Sequence, residues 1–150
     1  MTVTADPWGA FEYEVQMLHD TRAHLQNPDA IVHNAVVESF LLHTRILVEA
    51  LVRQEKKYDD DVTIADLLPR DAWSHRLQDL LTRLRKAYGS RNQEGSPCCT
   101  LNKRLAHLTH IRGDHFVWSP VVNALDPLLR DALREVALLA GRPSLSQYCA

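Results

Sequence analysis

The sequence predicts an all-α protein, an up-and-down bundle of four or five helices. Three observations predict it. Only five of the 150 residues are glycine. No segment alternates apolar and polar residues as a half-buried strand would. Apolar residues instead recur at spacings of three and four, the stripe of a helix facing a core. A chain of this size suits one domain with its own core. We expect that domain over residues 1–141, followed by a loose C-terminal tail over 142–150.

The first helix is expected from Trp8 to Gln26, with Phe11, Val15, Leu18 and Leu25 turned inward. Asn27-Pro28-Asp29 then reads as N-cap, first helical position and acidic first turn of a second helix. That helix runs from Pro28 to Lys56, roughly 40 Å at about 1.5 Å per residue. Apolar side chains occur nearly all round it, which predicts a central, buried helix. One narrow polar stripe interrupts them: Asn34, Glu38, Arg45 and Glu49. Buried charges need partners. The stripe therefore reads either as an ion-pair ladder between packed helices or as the wall of a polar cleft.

Tyr58 to Asp61 reads as a loop and Thr63 to Leu68 as one short turn. Asp71 is positioned to cap a third helix over 72–88, with Trp73, Leu77, Leu80, Leu81 and Leu84 inside and Gly89 at its end. Ser96-Pro97 opens a fourth helix that stops near Gly113. Ser119-Pro120 opens a fifth, whose apolar phase continues across Pro127, predicting one kinked helix rather than two. Gly141 and Pro143 end it.

Formal net charge is −2, unevenly placed. Residues 1–70 carry 12 acids against 6 bases; residues 71–112 carry 8 bases against 3 acids. A basic segment inside an acidic chain steers phosphates or balances acidic neighbours. Arg83 and Arg85 are its candidate phosphate contacts. Trp8, Trp73 and Trp118 read as core anchors, and an indole also offers a face on which a base stacks. Cys98, Cys99 and Cys149 form no C-x-x-C and no paired framework, which predicts reduced thiols. No run of about 18 apolar residues and no basic-then-apolar leader occurs, so the expected compartment is the cytoplasm, with no membrane partner. Neither a glycine-rich phosphate loop nor G-x-S-x-G is present, which disfavours dinucleotide and classical hydrolase chemistry.

The segment Leu101-Asn-Lys-Arg-Leu-Ala-His107-Leu-Thr-His110-Ile-Arg112 carries the strongest chemical signal. At about 100° per residue, Leu101, Leu105 and Leu108 share one face, while Lys103, His107 and His110 share the opposite one. Two imidazoles and an ammonium together suit an anion. His43, His107 and His110 also raise the possibility of a metal between helices, but no Glu-x-x-His accompanies them. No metal and no cofactor is expected.

Asn34-Ala-Val-Val-Glu-Ser-Phe-Leu-Leu-His-Thr-Arg45 followed by the 101–112 segment resembles the HEPN superfamily (higher eukaryotes and prokaryotes nucleotide-binding). The resemblance spans the second to fifth helices. It implies a dimeric helical bundle, in many members a metal-independent ribonuclease of toxin or defence systems, in others a binding or partner module. The family's active motif is arginine, a polar residue, four to six further residues, then histidine. Asn102-x4-His107 matches the polar residue and the histidine, while Leu101 stands in the arginine's place. The resemblance thus implies His107 as proton shuttle, Asn102 beside it, and Arg104 or Arg45 supplying the guanidinium. Lys103, His110, Glu38, Arg83 and Arg85 complete the candidate ligand-binding set.

Three functional expectations follow. The first is a HEPN-like homodimer that binds RNA or nucleotide, or serves as a module for a protein partner. The second is an active ribonuclease built on His107 with Arg104 or Arg45. The third is a metal-binding or structural bundle.

Overall fold

The computed structural model describes residues 6–106 and 118–149. Within them the protein is all-α, with no strand. Four longer helices carry the core: α1 (Pro7–Ala23), α2 (Ala30–Val52), α4 (His75–Tyr88) and α6 (Ser119–Leu139). Shorter elements are α3 (Ile64–Leu67), α5 (Pro97–Leu101) and α7 (Pro143–Ser146). α1 packs on α2 and α4 on α6, and α2 joins the two pairs by touching both α4 and α6. The core between them is aliphatic, built on Phe40, Leu47, Leu51, Leu77, Leu84, Leu125 and Leu129.

Caps explain where the helices start. Asp6 accepts the Trp8 N–H and Pro7 occupies the first turn, so α1 begins one residue before the expected position. For α2 the sequence reading is corrected. Asp29, not Asn27, is the N-cap; its carboxylate accepts the N–H groups of Ile31 (2.9 Å) and Val32 (3.0 Å). Asn27 instead accepts the Asp29 N–H. The other end also falls short of Lys56. Arg53 turns extended, and its guanidinium reaches back to Glu49 and across to Asp61. α4 begins at His75 because Ser74 caps it through the Leu77 N–H, leaving Asp71 in a separate 3-10 turn over Arg70–Ala72. α6 runs as one helix through Pro127.

Two further expectations are corrected. α2 is not buried all round: Ile31 is 82% exposed, and Val32, Leu42 and Ile46 are also solvent-facing. α1 covers one flank of α2 and leaves this one open.

Nor is 142–150 a loose tail through residue 149. α7 and a 3-10 turn over Gln147–Cys149 pack against α6 and α1 and bury Leu145 and Cys149. Arg142 clasps the start of the chain. Its guanidinium lies 4.2 Å from the Trp8 ring centroid and donates to Glu12 Oε1 at 2.5 Å. Buried Leu145 and Cys149, the stacked Arg142 and the Tyr148 ring against His19 dock residues 142–149, a stretch that composition alone makes look solvated.

No helix among the described residues is long and apolar enough to cross a membrane.

Candidate functional site

The 96–106 segment is built differently from the expected continuous helix. Ser96 caps α5 through the Cys99 N–H, and Pro97 fits its first turn. At Asn102 the backbone passes into a π-helix that lasts to Ala106. A π turn holds one more residue than an α turn, so residues 102–106 do not follow an even 100° count. The face drawn through Lys103, His107 and His110 assumed that even count. His107 and His110, with Arg112, lie outside the described residues.

The rest of the motif separates. Leu101 is fully buried and Asn102 nearly so, Lys103 is exposed, and Arg104 is half-buried. Asn102 therefore belongs to the interior and not to the polar face. Its Nδ2 donates to the Cys98 carbonyl at 3.1 Å, while its Oδ1 finds no donor among the described residues. A buried acceptor left without a donor costs free energy, about 1–3 kcal/mol.

The α2 stripe resolves into a network that extends beyond α2. Glu49 sits at its centre, accepting from Arg45 Nε (3.3 Å), Arg53 Nη2 (3.1 Å) and the Tyr88 hydroxyl (2.9 Å). Arg53 continues to Asp61 (3.1 Å), whose same oxygen accepts the Lys57 and Tyr58 N–H groups. Those bonds, first that from Tyr58, hold the Asp61 carboxyl below the ordinary aspartate range. The Tyr88 hydroxyl also meets the Cys98 thiol, and Asn102 Nδ2 approaches Cys98 Sγ at 3.7 Å. Arg45 and Asn102 are thus linked through Glu49, Tyr88 and Cys98. Glu38 is exposed at the far end of the stripe, a helical step of seven residues from Arg45.

Burial, then the Glu49 carboxylate, pushes the Tyr88 hydroxyl far above a free phenol. The thiol of Cys149 is likewise raised by burial from its ordinary 9.0. Both groups are neutral in the folded state where the unfolded chain would ionise. Their contribution to stability is complete below the unfolded pKa and falls as pH rises through and above it. We expect melting temperature to decline from pH 9 to 11, and Tyr88→Phe to flatten the part of that decline above pH 10. An unchanged slope in Tyr88→Phe contradicts this assignment.

A second constellation lies at the edge of α4. Arg70, from the 3-10 turn, places its guanidinium 5.6 Å from the Trp73 ring centroid. Trp73 is half-buried and fixed by its Nε1–H donating to the Leu68 carbonyl at 2.9 Å. Arg85 stands across from them, anchored by two bonds to the Val52 carbonyl (3.2 and 3.3 Å). Together with Gln54, Gln78 and Thr82 they line a cleft of about 300 Å³. Neither Arg70 nor Arg85 makes an ion pair among the described residues. Arg83, the other expected contact on α4, pairs loosely with Asp79 at 3.6 Å and is largely exposed. An indole, two amides and two guanidiniums without carboxylate partners suit a phosphate-bearing ring compound.

Sequence reasoning missed Arg70, which follows Pro69 outside any expected helix. It also missed the pairing of buried His43 with Glu14, 29 residues earlier, through Nδ1 and Oε2 at 2.5 Å. Among the described residues no three His, Cys, Asp or Glu side chains are grouped to hold a metal ion.

Fold and clefts together define an all-helical protein with a basic, tryptophan-bearing cleft. No family model, no curated protein and no solved structure matches the chain.

Proposed function

We propose that this is a HEPN-like helical module that binds RNA or a nucleotide through the Arg70–Trp73–Arg85 cleft. The observation that carries the reading is the pair of guanidiniums beside an indole, neither of them in an ion pair among the described residues. Phosphate takes a guanidinium in bidentate fashion, and a base stacks on an indole face whatever its sequence. The basic stretch 71–112 adds a sequence-independent attraction for a polyanion. Binding rather than cleavage is the favoured reading, because Arg45 is committed to Glu49 and the Asn102 side chain is buried.

Affinity of the full chain for single-stranded RNA is expected to fall steeply as salt rises. Arg70→Ala/Arg85→Ala should weaken it by more than about tenfold and lower the salt slope by about two. Trp73→Phe keeps a ring and should retain more affinity than Trp73→Leu. Salt-independent binding, or full affinity in the folded double variant, refutes the reading.

The same reading includes a homodimer. Ile31, Val32 and Leu42 are exposed on α2, and aliphatic side chains of this kind are what a subunit contact covers. Light scattering should return twice the chain mass, and Leu42→Glu should return it to one. A parent chain that stays monomeric at high concentration removes the dimer from the proposal.

A further inference from the structure

A second cleft, of about 410 Å³, opens between α1 and the C-terminal half of α2, closed at one end by the loop before α3. Its floor is apolar: Phe11 and Leu47 are buried there, with Ala10, Ala50 and Val62 around them. Its rim is acidic. Glu14, Glu49, Asp60 and Asp61 face it against one cation, Arg53.

That cation is committed. Arg53 donates one terminal nitrogen to Asp61 and the other to Glu49, both at 3.1 Å. An anionic occupant would have to displace those carboxylates and then sit among them. A cationic one displaces nothing. Glu14 uses Oε2 for His43, leaving Oε1 open, and Asp60 makes no hydrogen bond or ion pair among the described residues. Glu49 and Asp61 are held in place by their own bonds, so the rim's charge is fixed before any ligand arrives. Tyr13, 57% exposed, lines the cleft with its ring nearly perpendicular to that of His43, and an exposed phenol ring is a surface that attracts a cation.

We propose that this cleft binds a small organic cation: a primary ammonium or guanidinium carried on an aliphatic or aromatic body. The body fills the apolar floor, and the head lies between the Glu14 and Asp60 carboxylates under Tyr13. The volume falls in the range of small-molecule sites, about 300–1,000 Å³. The complementarity of a fixed acidic rim over an apolar floor selects this chemistry against neutral and anionic analogues. The proposal stands apart from the RNA reading, since it uses neither Arg70, Trp73 nor Arg85.

The test is titration of the full chain with phenethylammonium, phenethyl alcohol and phenylacetate, followed by calorimetry and by backbone amide shifts. Saturable one-to-one binding of the ammonium is expected, with shifts at Ala10, Tyr13, Ala50 and Val62. The alcohol should bind at least about tenfold more weakly and the carboxylate not at all. Asp60→Asn, an exposed position that spares the fold, should weaken the ammonium alone, and Ala50→Phe should fill the floor and abolish binding. Equal affinity for the alcohol, shifts that map elsewhere, or no saturation overturns the proposal. So does binding of a lysine-bearing peptide in the absence of any binding by the free amine, which would make the cleft a protein-docking site instead.

Discussion

Asp126→Ala is expected to destabilise the fold by about 3–5 kcal/mol, measured by urea unfolding. Asp126 is buried on α6 and holds two guanidiniums. Arg22 reaches it from α1 at 2.5 Å, and Arg130, one turn further along α6, reaches it at 2.5 and 2.8 Å. Removing the carboxylate takes from Arg22 its ion-pair partner at the mostly buried contact between α1 and α6. Arg22 has little freedom to escape. Its guanidinium lies 5.6 Å from the Phe40 ring centroid, and its Nε is already buried without a partner among the described residues. Asp126→Asn should cost less than alanine, because the amide oxygen still accepts one of the bonds. Replacing both Arg22 and Asp126 by leucine should recover much of the loss, since the desolvation of the charges disappears with them. A loss below about 1 kcal/mol in Asp126→Ala would mean that solvent reaches the pair.

Phe40→Ala is expected to cost about as much, roughly 3–5 kcal/mol, by a different route. Phe40 has no exposed surface and is among the bulkiest side chains of the interior. Its removal leaves a void lined by helices that are held on several sides and relax only in part. Phe40→Leu should cost markedly less. The two substitutions share Arg22, which stacks on one residue and ion-pairs with the other. Their effects should therefore fail to add by at least about 0.5 kcal/mol in a double-mutant cycle. Strict additivity would deny the contact between Arg22 and the ring.

Helix existence was legible because apolar spacing over three or more turns leaves little choice of period. The phase of Leu77, Leu80, Leu81 and Leu84 on α4, and of Leu125, Leu129, Leu133 and Val136 on α6, survives intact. Boundaries moved because capping is decided by which of several adjacent oxygens reaches the free N–H groups, as Asn27 and Asp29 illustrate. The openness of α2 was not legible. An aliphatic side chain such as Ile31 reads the same in sequence whether or not a neighbour covers it.

The π turn at Asn102 was also hidden, since it is a local choice that no spacing announces. At the α4 cleft, Arg85 was visible in the charge of its segment and Trp73 as a stacking surface. Arg70 was not, because only the 3-10 turn after Pro69 turns it over the indole. Pairs such as Glu14 with His43 depend on how α1 lies on α2, which is tertiary information.

The clasp between Arg142 and the first helix has a kinetic side. Arg142 and Glu12 are 130 residues apart in sequence, so their contact closes a loop of nearly the whole chain. The entropy of closing such a loop grows only with the logarithm of its length, about 0.6 kcal/mol for each doubling. A short terminal segment can therefore bridge so wide a separation with one stacked cation, two buried side chains and the Tyr148 ring. The same separation leads us to expect that this contact forms late in folding, after α1 and α6 have met, because only then are its two halves near each other. Residues 142–149 are thus expected to dock last, sealing a circuit that the helices have already drawn.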